Sequence, residues 1–162
     1  MSTGTLFLVG TYRRQVLASL ERIWENVMDW EHLPSLHPES FLSVKLLEIT
    51  PDTWRGAITT SPADRPKHAV VEVTCDRPNR RYWSRTVGGR SVGTEILTRL
   101  APVDDRTTDI TVEFRVPSVD PAKADALGAS FVRLYTRLWD QDETMMTRRQ
   151  EQLDRGFRDA DV

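Results

Sequence analysis

The stretch Thr107-Thr-Asp-Ile-Thr-Val-Glu-Phe-Arg-Val-Pro-Ser-Val-Asp-Pro121 decides the fold, because the period of its hydrophobic residues changes within it. Up to its first proline it favours a strand, with β-branched and aromatic side chains at alternate positions. Beyond that proline the pattern is helical: residues 118–120 are suited to cap a helix, and Pro121 is suited to its first turn. The helix is predicted to run to about Phe157, and residues 158–162 are expected to fray.

Five further strands are predicted upstream of this one. They are bounded by turn residues and span residues 42–49, 53–60, 68–75, 80–87 and 94–101. Ahead of them, residues 5–16 mix β-branched and aromatic side chains and favour a first strand. Residues 16–28 carry apolar side chains at helical spacing, so a helix is predicted after that strand. Pro34 and Pro38 then interrupt the helix and leave a short, bent second segment.

One domain is the simplest interpretation of 162 residues, and this length allows a full hydrophobic core. The net charge of −2 gives no reason to expect nucleic acid or an anionic membrane as a partner. Cys75 is the only cysteine, so a disulfide within the chain and an iron–sulfur cluster held by this chain are both excluded. The short apolar run at residues 6–9 lacks the features of a signal peptide or a spanning helix, and a cytoplasmic location is expected.

The order of the predicted elements is strand, helix, broken helix, six strands and a long C-terminal helix. This order resembles the α+β helix-grip fold of the START and Bet v 1-like superfamily, also called SRPBCC, over nearly the whole chain. The resemblance implies a single domain over residues 1–162, in which a curved antiparallel sheet wraps the last helix around an internal apolar cavity. Some members of this superfamily bind lipids, polyketides or hormones and others are enzymes, so the fold implies a small hydrophobic ligand but no particular reaction.

Two of the three histidines, His32 and His37, lie in one short window with four residues between them. Imidazole is a ligand for Fe, Zn, Cu and Ni, and two His with one carboxylate form the facial triad of non-haem Fe(II) sites. On a straight helix a five-residue step leaves a rotation of about 140°, which would turn the two rings to different faces. The residue before Pro34 is biased out of the helix, so we expect a bend that brings the two imidazoles together.

Asp142 interrupts the apolar face of the predicted C-terminal helix and is the candidate third ligand. Steps of three and four residues along that face lead to it, whereas Asp140 and Glu143 point away from its centre. The apolar positions of the face are Leu127, Phe131, Leu134, Tyr135, Leu138, Met145 and Met146. An unpaired buried carboxylate is costly, so a cation or strong donors should lie beside Asp142, and a metal held by His32 and His37 meets that need.

Asp29 and Asn26 are candidates for orienting the metal ligands. Asp29 lies three residues before His32 on the same side of the helix, where its carboxylate can accept a hydrogen bond from the imidazole and fix its tautomer. Asn26 lies one turn further back and extends this network. The third histidine, His68, begins a strand and is expected on the surface, and Cys75 is expected to be an inert core thiol.

The pattern Glu25-Asn26-x-x-Asp29-x-x-His32-x-x-x-x-His37-Pro-x-Ser resembles the iron-site segment of Rieske-type ring-hydroxylating oxygenases. The resemblance implies that the two His bind mononuclear iron, with Asn26 close by, and that Asp29 has a catalytic role as the electronic bridge to a Rieske centre. The stretch Trp139-Asp-Gln-Asp142 resembles the one that supplies the third ligand, which implies Asp142. Because this chain has no Rieske cluster motif, a separate electron-transfer protein is an implied partner, and the family also implies a homo-oligomer.

Three functions are open at this point. The first is an enzyme similar to these oxygenases, with one Fe(II) on the triad and a small hydrophobic or aromatic substrate in the cavity. The second keeps the triad but uses Zn²⁺, which activates water or polarises a carbonyl in a hydrolase or cyclase. The third is a metal-free module that binds lipids or polyketides, in which the His pair is vestigial. The sequence does not identify the residues that bind the substrate.

Overall fold

A computed structural model describes residues 4–157, so the expectation for residues 158–162 lies outside the described part. This part forms seven strands, three α-helices and one short 3₁₀ helix. In chain order they are β1 (Phe7–Val16), α1 (Leu20–Met28), α2 (His32–Leu36), β2 (Phe41–Ile49), β3 (Thr53–Thr60), β4 (Lys67–Asp76), β5 (Arg81–Gly89), β6 (Glu95–Asp104), β7 (Thr107–Val116), the 3₁₀ helix (Pro121–Lys123) and α3 (Ala124–Asp154). None of the helices in this part has the length and apolar character needed to cross a bilayer.

All seven strands belong to one antiparallel sheet, in the order β1-β7-β6-β5-β4-β3-β2. Strands β2 to β7 form a meander of consecutive hairpins, and β1 pairs with β7, so β1 and β2 are the two edges. This sheet with one long C-terminal helix is the α+β helix-grip fold, which confirms the predicted fold class. The predicted strand boundaries are right to within three residues at each end.

The first helix begins four residues later than predicted. Val16 is the last residue of β1 and is fully buried, whereas Leu17 is 62% exposed. The helix begins after Ser19, whose side-chain oxygen accepts a hydrogen bond from the backbone N–H of Arg22 at 3.2 Å. A serine at this position satisfies one of the free N–H groups of the first turn. The predicted start was wrong because Val16 and Leu17 fit helical spacing although they belong to the strand and the connection.

A break in the helix is present as predicted, but it lies ahead of Pro34: Leu33 and Pro34 both belong to α2, so the bend expected just before Pro34 is wrong. Proline is tolerated there because it lies in the first turn of a helix, where a backbone N–H has no partner to lose. Asp29 caps α1, and the short helix α2 begins at His32 with Pro34 inside it. His37 follows α2 as its C-terminal cap, with φ −120° and ψ 53°, outside the helical region. His32 and His37 therefore lie at the two ends of a short helix rather than along one straight helix.

Helix α3 packs on the edge strand β1. The two backbones are so close that a Cβ added at Gly128 would lie 1.9 Å from the carbonyl oxygen of Val9. Further along, Arg14 of β1 pairs with Asp140 at 2.5 Å and with Glu143 at 3.2 Å. These contacts fix the position and the rotation of α3, and they keep Asp140 on the outside as predicted.

The buried face of α3 is rotated slightly from the predicted one. The buried residues of this helix are Gly128, Trp139, Asp142 and Met146. Between the first two of these lie Phe131, stacked on the fully buried Phe114 at 4.9 Å, and Tyr135, edge-on to the same ring at 4.9 Å. Trp139 rather than Leu138 lies at the centre of the face, but Asp142 is on the buried side as predicted.

Candidate metal centre

Three buried side chains from distant parts of the chain meet at one point. His32 and His37, at the two ends of α2, face Asp142 on α3. The Nε2 atom of His37 lies 2.9 Å from Oδ1 of Asp142, and Nε2 of His32 lies 3.4 Å from the same oxygen. The exposed fractions are 8% for His32, 1% for His37 and 8% for Asp142. The structure thus brings together the three residues that the sequence suggested as metal ligands.

In both histidines, the ring nitrogen Nδ1 is hydrogen-bonded to a group outside the cluster. Nδ1 of His32 is hydrogen-bonded to the main-chain carbonyl of Asp29, and Nδ1 of His37 to Oε1 of Gln141 at 2.6 Å. Both partners are oxygen atoms that only accept, so each Nδ1 carries the proton. In a neutral imidazole the opposite nitrogen, Nε2, then has a free lone pair. Two such lone pairs and a carboxylate point into the same space, an arrangement that needs positive charge, either as protons or as a metal ion.

The distances fit an ion of the size of Fe(II) or Zn²⁺. For ligand bonds of about 2.1 Å, two ligand atoms lie about 3.0 Å apart at a bond angle of 90° and about 3.4 Å apart at the tetrahedral angle. The two separations from Oδ1 of Asp142, 2.9 Å and 3.4 Å, agree with these values. All three candidate ligand atoms lie within 4.8 Å of one another. Two imidazole nitrogens and one carboxylate oxygen also form a donor set that suits both metals.

In the absence of a metal, protons balance the charge of this cluster. Burial by itself lowers the pKa of His32, but the neighbouring Asp142 outweighs this effect and raises the pKa above its ordinary value. Burial by itself raises the pKa of Asp142, but hydrogen bonds with His32 and His37 reverse the effect and lower it. The carboxylate is therefore ionised at neutral pH and available as a ligand, and a metal would compete with a proton for the imidazole of His32.

The two residues expected to orient the ligands are placed differently from the prediction. Asp29 contacts the ring of His32 through its main-chain carbonyl, whereas the residue itself is exposed. The hydrogen bond predicted for its carboxylate is thus made by the backbone, because Asp29 caps α1 and its carbonyl faces the start of α2. Asn26 is buried, and its Oδ1 has no hydrogen-bond partner among residues 4–157, so the structure does not extend the network through that oxygen. The catalytic role of Asp29 stays a prediction.

Gln141 is a contributor to the site that sequence reasoning missed. Its Oε1 fixes the tautomer of His37, as the Asp29 carbonyl does for His32. The one sequence signal for this role was that Gln141 is adjacent to Asp142. In the structure these two neighbours on α3 contact the two ring nitrogens of His37. That signal is weak, because the direction of the Gln141 side chain depends on how α3 lies over α2.

We expect the substitution Gln141→Leu to weaken metal binding about 10- to 100-fold, the usual effect of removing the partner behind a ligand imidazole. Gln141→Glu keeps an acceptor for the Nδ1–H of His37 and should retain most of the affinity. A competition titration of Zn²⁺ against a chelator measures both variants. The matched control is Gln150→Leu, since the Gln150 amide donates to Asp154 near the end of α3. Equal losses in the two leucine variants would show that Gln141 does not orient His37.

Outside the triad, His68 and Cys75 are placed as expected. His68 is exposed, and its Nδ1 lies 3.2 Å from Oγ1 of Thr59. Cys75 is buried, and burial raises the pKa of its thiol to about 11. A thiol with so high a pKa is protonated at neutral pH and is a poor nucleophile.

Neither of two clefts on the described surface is lined by a triad residue. One, of about 440 Å³, lies beside α1 and is lined by Glu21, Trp24, Glu25, Met28, Pro51 and Arg77. The other, of about 510 Å³, lies between the β3–β4 and β5–β6 connections. The space between the sheet and α3 is packed by Phe114, Phe131 and Tyr135. The internal cavity expected from the resemblance therefore stays a prediction, and no substrate-binding residue is assigned.

Comparison with known proteins finds this fold in proteins of different kinds. No protein-family model and no curated protein sequence matches the chain. The structure of the Zhui aromatase/cyclase from Streptomyces sp. R1128 superposes with a TM-score of 0.71 and 16% identity, covering 90% of this chain and 96% of that one. A START superfamily protein from Mycobacterium smegmatis gives a TM-score of 0.66 and 19% identity, over 83% and 97% of the two chains. Norcoclaurine synthase from Thalictrum flavum, in complex with dopamine and hydroxybenzaldehyde, gives 0.64 and 15%, over 90% and 89%.

These structures define the class of protein at the level of the fold. At identities of 15% to 19%, the similarity shows the helix-grip fold that START and Bet v 1-like proteins have and nothing finer. The chain is therefore a helix-grip protein that carries a buried His–His–Asp cluster where α2 meets α3. The resemblance to ring-hydroxylating oxygenases gains no support from these three structures, and it rests on the sequence motif and on the geometry of the triad.

Proposed function

We propose that this protein binds a single Fe(II) ion through His32, His37 and Asp142 and acts as an oxygenase-like enzyme on a small hydrophobic or aromatic molecule. The observation that carries the proposal is the convergence of three buried ligand atoms while the Nδ1 atoms of both rings are already bonded. Two imidazole lone pairs that face a carboxylate in a buried space are costly unless positive charge lies between them, and a divalent ion supplies that charge. Two imidazoles and one carboxylate, without a thiolate, are the ligand set of non-haem Fe(II) oxygenases.

Within this site the residues of the chain hold and orient the ligands. His32 and His37 are fixed in the tautomer that offers Nε2, and Asp142 supplies the negative charge. When bound, the ion supplies open coordination positions at which O₂ and a substrate come together. Because all three side chains are buried, the protein shields them from water, and electrostatic interactions between them and an ion would be stronger than in solvent.

Such a reaction also needs a source of electrons. An iron–sulfur cluster needs at least two thiolates, and Cys75 is the only one that the sequence offers. We therefore include in the proposal a separate electron-transfer protein or the substrate itself as the electron source. The proposal also includes a homo-oligomeric assembly and a cytoplasmic location, in which a lone thiol stays reduced.

A second candidate is a hydrolase or cyclase that uses Zn²⁺ on the same triad. It is favoured by the similarity in fold to an aromatase/cyclase and to norcoclaurine synthase. Three protein ligands with one open position are the arrangement of catalytic zinc, which lowers the pKa of a bound water or polarises a carbonyl. A metal-free module that binds lipids or polyketides is the remaining alternative.

The metal content of the purified protein tests the proposal. The untagged protein is prepared anaerobically with Fe(II) offered, and in parallel with Zn²⁺, and the metal per chain is determined by elemental analysis. We expect close to one iron per chain in the wild type and less than about a tenth of that in His32→Ala, since a ligand contributes more than the groups behind it. His68→Ala is the matched control, because His68 is exposed and lies outside the triad.

The outcomes separate the three functions. Iron that is lost in His32→Ala and kept in His68→Ala supports the proposed site and directs the search to O₂ consumption with an electron donor. Zinc retained in preference to iron favours the hydrolase or cyclase. Metal at background level in the wild type contradicts both and leaves the metal-free module.

A further inference from the structure

A cleft at the end of the sheet carries an unusual excess of positive charge. Its volume is about 510 Å³, and its lining residues are Pro62, Arg65, Pro66, Lys67 and Arg90. None of the three cations forms an ion pair with any residue in the part of the chain that the structure describes. The one acidic residue adjacent in sequence, Asp64, forms none either.

This excess contrasts with several cations on the neighbouring strands. On the neighbouring strands, cations face carboxylates: Arg55 pairs with Glu72 at 2.7 Å, Arg85 with Glu95 at 2.9 Å, and Arg99 with Glu113 at 3.2 Å. Such pairs neutralise each other and leave no site for an external anion. The cations of the cleft have no such neighbours, so their charge is available to a ligand.

Strand pairing brings two of the three cations, Lys67 and Arg90, to one place. Ala69 of β4 is paired with Gly89 of β5, and the backbone N–H of Arg90 donates to the carbonyl of His68 at 2.9 Å. Arg90 therefore lies beside the start of β4, where Lys67 is located. Gly89 has φ +76°, and a Cβ there would lie 2.5 Å from the same carbonyl oxygen, so the tight turn that places Arg90 requires glycine.

The loop before β4 adds the third cation. The N–H of Arg65 donates to the carbonyl of Pro62 at 3.1 Å, which folds the β3–β4 connection into a turn. The same loop is fixed from the other side, because the Ser61 hydroxyl donates to the Glu39 carbonyl at 2.7 Å. Arg65 is thus held on a turn that is anchored at both ends, opposite the β5–β6 connection that carries Arg90.

We infer that this cleft binds the phosphate group of a small organic phosphate ester. Three like charges around one concave space repel one another, and an anion between them removes that repulsion. The planar guanidinium groups of Arg65 and Arg90 can each donate two hydrogen bonds to phosphate oxygens, while Lys67 adds a compact charge. The volume exceeds that of one phosphate and accommodates an attached organic group, as small-molecule sites do.

The size of the cationic set favours a small molecule over an acidic protein. A specific protein interface buries about 800 Å² on each partner. The five residues that line this cleft, three of them cations, cover a much smaller area than such an interface. The inference is independent of the metal site, since no triad residue lines the cleft.

Titration of the full-length, ¹⁵N-labelled protein with inorganic phosphate at constant ionic strength tests the inference by NMR. We expect saturable shifts of the backbone amides of Lys67 and Arg90, and a dissociation constant at least about tenfold weaker in the double variant Arg65→Gln/Arg90→Gln. The matched control is Arg13→Gln/Arg133→Gln, which removes the same charge from two exposed residues outside the cleft. Should the cleft variant fail to fold, Lys67→Gln alone is the second test.

Phenyl phosphate, benzoate and an acidic decapeptide identify the class of ligand. Phenyl phosphate should bind at least as tightly as inorganic phosphate, and benzoate clearly more weakly. Benzoate that binds as well as phenyl phosphate, or a decapeptide that binds more tightly, would overturn the assignment to a phosphate ester. Shifts confined to the region of His32 and His37, or equal affinity in the cleft and control variants, would overturn the site itself.

Discussion

The substitution Asp142→Asn should lower the affinity for metal at least about 100-fold while the metal-free protein stays folded. Asparagine has nearly the same shape, but it removes the only anionic ligand. Oδ1 of Asp142 is the atom that both imidazoles share, at 2.9 Å and 3.4 Å, so no other group of the triad takes over its role. The loss should therefore exceed the loss expected for Gln141→Leu, which alters only the support behind one ring.

Thermal unfolding with and without Zn²⁺ measures this effect. At a free metal concentration of 100 times the dissociation constant, binding stabilises the native state by about 2.7 kcal/mol. For a domain of this size that corresponds to a rise of about 5–10 °C in the unfolding midpoint. We expect the rise in the wild type and in Asp64→Asn, an exposed control with the same change of charge, but not in Asp142→Asn. A rise of wild-type size in Asp142→Asn would mean that Asp142 is not a ligand.

The substitution Gly128→Ala should lower the free energy of unfolding by at least about 3 kcal/mol. The added Cβ would lie 1.9 Å from the carbonyl oxygen of Val9 and 2.8 Å from its carbon, both main-chain atoms of β1. Gly10 faces the same contact, because a Cβ there would lie 3.0 Å from the Cα of Gly128. The atoms that the new methyl group would meet belong to the main chain and cannot move away as a flexible side chain could. Helix α3 must therefore shift away from the sheet.

Urea unfolding of Gly128→Ala beside Gly88→Ala measures the effect against a matched control. A Cβ at Gly88 would meet the Val70 side chain at 3.5 Å, an ordinary contact, so this variant should change the stability by less than about 1 kcal/mol. Because α3 also carries Asp142, Gly128→Ala should in addition weaken metal binding. Similar unfolding free energies for the two variants would show that α3 can move away from β1 at little cost.

Most of the fold could be predicted because strand and helix patterns are local. Strand β7 was predicted at its observed boundaries, since fully buried residues alternate with less buried ones over residues 107–116. Strand β5 was predicted one residue too early because Arg80 lies in the turn, with φ +51°. The start of α1 was predicted wrongly for a related reason. Val16 and Leu17 fit both a strand and a helix, and only the capping hydrogen bond at Ser19 shows where the helix begins.

The candidate site could be predicted only in part. Asp142 was recognisable because a carboxylate on an apolar helix face is costly unless something compensates it. Gln141 and the carbonyl of Asp29 were not, because their roles depend on the crossing of α2 and α3 and on the exact turn between α1 and α2. The close contact between Gly128 and β1 was equally hidden, since a glycine in a long helix gives no sign of what lies opposite.

The separation of the ligands in sequence gives a bound ion a mechanical role as well. His37 and Asp142 are 105 residues apart, and strands β2 to β7 lie between them. In an unfolded chain, joining them would require closing a very long loop at an entropic cost, so an ion held by both residues would bind the folded form selectively. A bound ion would thus cross-link the first third of the chain to its last helix. Removing the ion with a chelator would then lower the stability of the protein as well as remove the chemistry of the site.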